Sequence, residues 1–372
     1  MHLFNTESIL EWYQVIKQRP LHGRWIRLSH IQPILHELNE PFTVQQIGNS
    51  TLNNPIYSVR IGSGKTPVLI WSQMHGNEST GTKALFDLIN FFDDPKEYAP
   101  LRDQILENCQ ITMIPMLNPD GAEAYTRENA SDIDLNRDVI DQKAPETKLL
   151  LQLLKNVNPE YCFNLHDQRI IYTVGDTNKS ATISFLAPSE NQERTVTQGR
   201  KETMKVIVAM NAVMQKIIPG QIGRYKDEFY PTATGDNFQK MGHNTILIEA
   251  GHDKDDYDRE QVRAYNFIAL LQGLNYISSN ESISNEPYED IPNNTEYYFD
   301  VLYKDVFIAS ENKKVDAGIV FKEILKDNQI HFEPEVQQLG DLKSYAANTI
   351  VEDKGLIFAD KGELQRFHKK RS

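Results

Sequence analysis

At 372 residues, with 40% apolar and 24% charged residues, the chain is long enough for one large domain plus a small one and has an ordinary globular composition. Its formal net charge of −13 argues against non-specific attraction to nucleic acid or anionic membranes, and no apolar run is long enough to span a bilayer. The two cysteines, Cys109 and Cys162, lie in or beside apolar segments, which predicts buried thiols rather than a disulfide framework.

The amino terminus, "MHLFNTESILEWYQVIKQRP", has acidic residues within its apolar run and no basic region ahead of one. It reads as an amphipathic helix rather than a signal peptide, and a cytoplasmic location is expected. Amphipathic segments near 6–17 and 28–39 precede β-rich runs at "FTVQQIG", "PIYSVRIG" and "TPVLIWSQ", the last apolar enough to be buried on both faces. A helix is expected from about Ser79 to Phe92, then a buried strand at "QITMIPML" closed by the turn "NPDG". "APETKLLLQLLKNV" opens with Pro145 and Glu146, suited to a helical first turn. Strands at "YCFNLH", "ISFLAP" and "NTILIEAG" alternate with helices near 191–217 and 258–276. The pattern predicts an α/β fold with a mixed, largely buried sheet sandwiched by helices.

Composition shifts at "SSNESISNEPYEDIPNNTE", which lacks a periodic apolar face and reads as a linker. Short strands follow at "YYFDVLYKDVFIAS", "AGIVFKEIL" and "GLIFADKG", and "HKKRS" reads as a solvated basic tail. The expected organisation is a helical extension over 1–40, a catalytic domain over 41–278, a linker over 279–296 and a small C-terminal β-rich domain over 297–372.

In open α/β sheets ligands bind beyond the carboxyl ends of the strands. Here those ends carry His75 and Glu78, then Asn118 to Gly121, then His166 and Asp167, then Glu249 and His252. The pair His75 and Glu78 alone is little better than chance. Two histidines and two glutamates arriving at one edge fit a catalytic zinc, which takes three protein ligands and leaves one position open. His75, Glu78 and His166 would be the ligands, and Glu249 the carboxylate that takes and returns a proton. "RENASDIDLNRD" adds Arg127, Asn136 and Arg137, suited to gripping a carboxylate, with one guanidinium alternatively facing a developing oxyanion.

The order His75-x-x-Glu78, "NPDG", Arg127, "DLNR", "APETK", "NLHD" and "ILIEAG" resembles the M14 family of zinc carboxypeptidases, and the likeness covers roughly residues 40–275. It implies one zinc per chain on His75, Glu78 and His166. It also implies that Arg127 polarises the scissile carbonyl, that Asn136 and Arg137 hold a terminal carboxylate, and that Glu249 is the general base. The short interval from Arg127 to "DLNR" looks like the bacterial murein-peptide amidase and carboxypeptidase branch. Two departures stand out. Asp138 and Val139 follow "NR" where the family often has Asn and an aromatic. The family's mobile tyrosine falls on Tyr230, with Tyr225 as rival, and Asp236 is placed in the specificity pocket.

The expected function is hydrolysis of an amide bond next to a free carboxylate, on a peptide or acyl-amino-acid substrate. An N-acyl amino acid deacylase or murein-peptide amidase is the alternative, in which the C-terminal domain would narrow the cleft to small substrates. A non-catalytic zinc-binding module is the reading from another class. His252 and Asp255 read as part of a solvated acidic loop rather than a second metal site, and His243 as a helix cap. Asp167 is expected to point away from the metal, because neighbours on a strand face opposite sides.

Overall fold

The structure, a computed structural model, describes residues 8–279, 281–352 and 355–371. The expectations for residues 1–7, and for the side chains of the basic tail after His368, lie outside the described residues.

Helices α1 (Ile9–Ile16) and α2 (Leu28–Glu37) precede a hairpin of β1 (Thr43–Asn49) and β2 (Pro55–Ile61). Then come β3 (Thr66–Trp71), α3 (Thr80–Asp93), α4 (Ala99–Asn108), β4 (Cys109–Ile114), α5 (Pro119–Ala124), α6 (Pro145–Val157) and β5 (Tyr161–Asp167). A two-residue strand β6 (Thr173–Val174) leads to β7 (Ile183–Leu186), α7 (Gln198–Ile217), β8 (Ile222–Arg224), α8 (Thr234–Lys240), β9 (Asn244–Ala250) and α9 (Glu260–Ser278).

Eight of these strands make one mixed sheet in the order β1-β2-β4-β3-β5-β9-β7-β8. Its centre, β4-β3-β5-β9, is parallel, and β2 and β7 pair antiparallel at either side. The near-continuous apolar runs of the central strands follow from burial on both faces. Val68 and Ile70 of β3 join Phe163, Leu165, Ile246 and Ile248 in one core. Their neighbours Leu69 and Trp71 join Cys162 and the leucines of α6, Leu150 and Leu154, in the other. Alternation then sends His166 and Glu249 to the α6 face and Asp167 to the opposite one.

Two expectations change. The helix foreseen near 191–217 begins at Gln198, because the Thr197 hydroxyl accepts from the Arg200 amide at 3.1 Å and starts it there. The segment around Tyr230 to Lys240 contains α8, too short for its period to show in sequence. Within the Asn- and Ser-rich stretch, Tyr288 and Ile291 are buried in the main core, and β10 (Asn294–Thr295) pairs with β6.

The C-terminal sheet is built from β11 (Tyr298–Ile308), β12 (Lys313–Lys326), β13 (Gln329–Gly340) and β14 (Ala346–Val351), in the order β13-β12-β11-β14. Strand β15 (Ile357–Phe358) pairs with β11, and α10 (Lys361–Arg371) packs on one face through Leu364. On the other face Phe299, Leu302, Val320 and Leu342 receive Ile171, which follows β5. No helix among the described residues is long and apolar enough to cross a membrane.

A buried ion pair fastens the amino-terminal segment to this body. Arg263 of α9 grips Asp87 of α3 with Nε at 2.7 Å and Nη2 at 2.6 Å, and both side chains are fully buried. The Tyr13 hydroxyl and the Gln18 amide donate to the same carboxylate, each at 2.7 Å. Replacing Arg263 by Leu would leave the buried Asp87 carboxyl without its counter-ion. The Arg263→Leu variant should lose about 3–5 kcal/mol of unfolding free energy in urea titration; an unchanged midpoint would refute this role.

Candidate metal centre

Strand β3 ends at Trp71, and the next five residues turn back sharply. Gln73 takes a positive φ of 50°. Its side-chain amide donates to Gly76 O at 2.8 Å and Ile26 O at 2.9 Å, while its oxygen accepts from the Thr82 hydroxyl at 2.7 Å. Asn118 braces the same turn, donating to Met74 O at 3.2 Å and accepting from the Gly121 amide at 2.9 Å. Gly76 crosses the backbone of Gly121 so closely that a Cβ there would lie 1.9 Å from the Gly121 carbonyl carbon. Only glycine fits this crossing, which is why "NPDG" and "HGNE" belong together.

This turn delivers His75 and Glu78 to His166 at the end of β5. One ligand atom from each of the three lies within 4.8 Å of the others. His75 Nδ1 is 2.8 Å from Glu78 Oε1, His166 Nδ1 is 2.9 Å from Glu78 Oε2, and the two Nδ1 atoms are 3.1 Å apart. The donor set itself tests the fit. Two imidazole nitrogens facing each other with one carboxylate make an N, N, O set suited to zinc. Asp134 stands behind it, with its Oδ1 3.1 Å from His75 Nε2, where a carboxylate can hold the ring's orientation and leave Nδ1 to face a cation. The Asp167 amide donates to Glu78 Oε2 at 3.1 Å.

Burial pushes the pKa of His75 down, but the Glu78 and Asp134 carboxylates outweigh it and hold the imidazole above its ordinary value. His166 is lowered, chiefly by burial. Burial would raise Glu78, yet the two histidines hold it well below the usual carboxylate range. The trio therefore favours an ionised carboxylate, as cation binding requires.

Glu249 sits beside His166 across the parallel β5–β9 pairing and lines the same cavity of about 810 Å³. Burial raises its pKa well above normal, and the like charges of Glu78 and Asp167 add to it. Arg127 also lines the cavity, with Nη1 3.3 Å from Glu78 Oε1 and Nη2 3.0 Å from Asp134. Asn136 and Arg137 lie on a 3₁₀ turn capped by Asp134, whose side chain accepts from the Asn136 amide. Asn136 Oδ1 accepts from the Thr234 amide at 3.1 Å at the start of α8.

Of the remaining expected residues, Tyr225, Asp167 and His252 line the cavity, and Tyr230, Asp236 and His243 do not. Tyr230 is 51% exposed and lies over the Arg137 guanidinium at 5.6 Å. Asp236 accepts from the Tyr230 amide at 3.1 Å, and burial pushes its pKa up to about 6. Neither lines the cavity, whereas Tyr225 and Tyr172 do, their rings edge to face at 5.4 Å. Asp167 points away, its Oδ2 accepting from the Thr80 hydroxyl at 2.7 Å and facing Arg24 at 3.1 Å. His252 is buried rather than solvated and pairs with Asn348 at 2.9 Å; burial lowers its pKa to about 3. The His243 ring binds Pro159 O at 2.6 Å, and it is the His243 backbone amide that reaches Phe238 O of α8. Asp134 and Gln73 were missed from sequence. The one signal available for Asp134 was its place in "SDIDLNRD", beside the carboxylate-binding candidates Asn136 and Arg137.

The zinc carboxypeptidase family profile matches residues 31–267. Among curated relatives, Carboxypeptidase SOL1 of Arabidopsis thaliana is 33% identical over 108 residues, covering 26% of this chain and 22% of that protein. Carboxypeptidase M of Mus musculus is 29% identical over 135 residues, covering 32% and 30%. The chain thus spans less than a third of either relative's length. Among solved structures, a metallo-carboxypeptidase from Burkholderia cenocepacia superposes with a TM-score of 0.54 at 16% identity, over 67% of each chain. Carboxypeptidase A from Helicoverpa armigera gives 0.54 at 14% identity, over 74% of this chain and 82% of that one. At such identities the likeness speaks to the fold.

The contact between Asp134 and His75 carries a test. Zinc titration of Asp134→Ala should give an affinity about 10- to 100-fold weaker than the parent's. Equal affinity would mean that Asp134 does not orient the ligand.

Proposed function

The chain belongs to the zinc carboxypeptidase family, and from that premise we propose that it is a metallocarboxypeptidase, cleaving the amide bond next to a free terminal carboxylate. The observation that carries this reading is the convergence of His75, Glu78 and His166, with Glu249, Arg127, Asn136 and Arg137 around the same cavity. His75 and His166 through Nδ1, and Glu78 through its carboxylate, would hold one zinc. Bound there, the ion supplies Lewis acidity for a carbonyl and a lowered pKa for a water.

The protein's own groups do the rest. Glu249 accepts the proton of the attacking water and returns it to the departing amine nitrogen. The Arg127 guanidinium hydrogen-bonds to the carbonyl oxygen as negative charge develops there. Arg137 and the Asn136 amide grip the terminal carboxylate, which fixes the scissile bond one residue away and makes the enzyme an exopeptidase. Tyr230, outside the cavity but beside Arg137, would be the tyrosine that closes over the substrate, and Asp236, which accepts from the Tyr230 amide, would belong to the side-chain pocket. Residues 41–278 form the catalytic unit in this reading, with 297–372 as a separate β-rich unit. Cys109 and Cys162 are buried free thiols, which fits a reducing, cytoplasmic location.

Two measurements bear on it. Glu249→Gln should keep about one zinc per chain while turnover drops roughly 10²- to 10⁴-fold; sustained hydrolysis would sink the base assignment. Amidating a good substrate's terminal carboxylate should cut kcat/KM roughly 10- to 100-fold through lost charge-assisted bonds. Indifference to amidation would refute the roles of Asn136 and Arg137. Assaying N-acyl amino acids and murein peptides beside ordinary peptides would detect the deacylase or amidase alternative.

A further inference from the structure

The cavity that holds the His-Glu-His trio is not closed by the large sheet alone. Its far wall is formed by Phe321, Lys322 and Glu323 of β12 and Phe332, Glu335 and Gln337 of β13. This wall is fastened in place. Arg24, 5% exposed, donates from Nη2 to both carboxylate oxygens of Glu323 at 3.0 and 3.1 Å, and from Nη1 to Asp167 at 3.1 Å. The Tyr125 hydroxyl donates to the same Glu323 carboxylate. Arg259 approaches Asp167 from its other side at 3.3 Å. Asp167 follows the proposed ligand His166 directly, so the wall is tied to the strand end that carries the metal site. A second tether lies alongside: Asp300 of β11 accepts from the Tyr257 hydroxyl at 2.6 Å, and the Phe332 ring lies 5.2 Å from that tyrosine's ring.

We infer that the β12–β13 wall is a length filter, which admits substrates with only one or two residues, or a small acyl group, on the amino side of the scissile bond. The inference rests on the carboxypeptidase reading for the substrate's direction. With its terminal carboxylate at Asn136 and Arg137, which pack against α8 and Tyr230, the rest of the substrate runs toward the wall. A cavity of about 810 Å³ is of the size that holds a small ligand. Charge-assisted bonds from Arg24 and Tyr125 hold the wall at Glu323, so a longer substrate cannot displace it without breaking the Arg24–Glu323 pair. Exposed Lys322 and half-buried Glu335, paired at 2.8 Å, form the rim such a chain would strike.

The test is a peptide series sharing one C-terminal dipeptide, from the acetylated dipeptide to an octapeptide. Binding is measured by calorimetry on the zinc-loaded Glu249→Gln protein, and kcat/KM on the parent. The octapeptide should bind, and be cleaved, at least about tenfold less well than the acetylated dipeptide. Phe332→Ala, and separately the surface double variant Glu335→Ala with Gln337→Ala, should narrow that ratio. Equal binding of short and long peptides overturns the filter, as does a ratio that neither variant changes. Length-dependent binding without turnover of any peptide would sink the carboxypeptidase reading and leave the filter standing.

Discussion

Four parallel strands that stop at the same edge constrain everything else in this molecule. Because β4, β3, β5 and β9 run in one direction, their polar ends gather, and residues far apart in sequence become neighbours. The alignment of β5 and β9 goes further, setting His166 directly opposite Glu249. Side chains alternate along a strand, so a slip of one residue in this pairing would turn one of the two into the hydrophobic layer. The metal trio and the acid beside it therefore depend on a register that Phe163, Leu165, Ile246 and Ile248 hold from the other face.

The polar groups around that edge are as tightly specified as the apolar ones behind it. Asp134, Gln73 and Asn118 do not carry chemistry; each fixes the angle at which another residue presents its own. Arg24, Asp167, Arg259 and Glu323 form a buried chain of alternating charge, whose members are mutually required because any one left alone would be an uncompensated ion. Such an arrangement adds little net stability over an apolar packing of the same shape. What it gives is a unique docking position for the C-terminal sheet.

The large-scale order was legible in the sequence because buried parallel strands announce themselves as uninterrupted apolar runs, and their ends were readable for the same reason. His75, Glu78, His166 and Glu249 could be assembled from strand ends alone, and the structure does bring them to one cavity. Asp134 was harder, since its partner His75 lies 59 positions away and an Asp in a polar loop has many bland readings. The α8 segment hid because seven residues give a helix too little room to show its period. His252 looked solvated amid acidic neighbours, but it is buried and pairs with Asn348, a contact across a docking surface that no local pattern encodes.

Arg24 and Glu323 are 299 residues apart in a sequence of 372. A chain emerging from the ribosome exposes every group of the His-Glu-His trio, and Glu249, well before it can supply Glu323. Synthesis at roughly 5–20 residues per second makes that gap several seconds long, and domains fold as they emerge. The residues of the trio thus leave the ribosome before the residue that latches the C-terminal sheet beside their cavity.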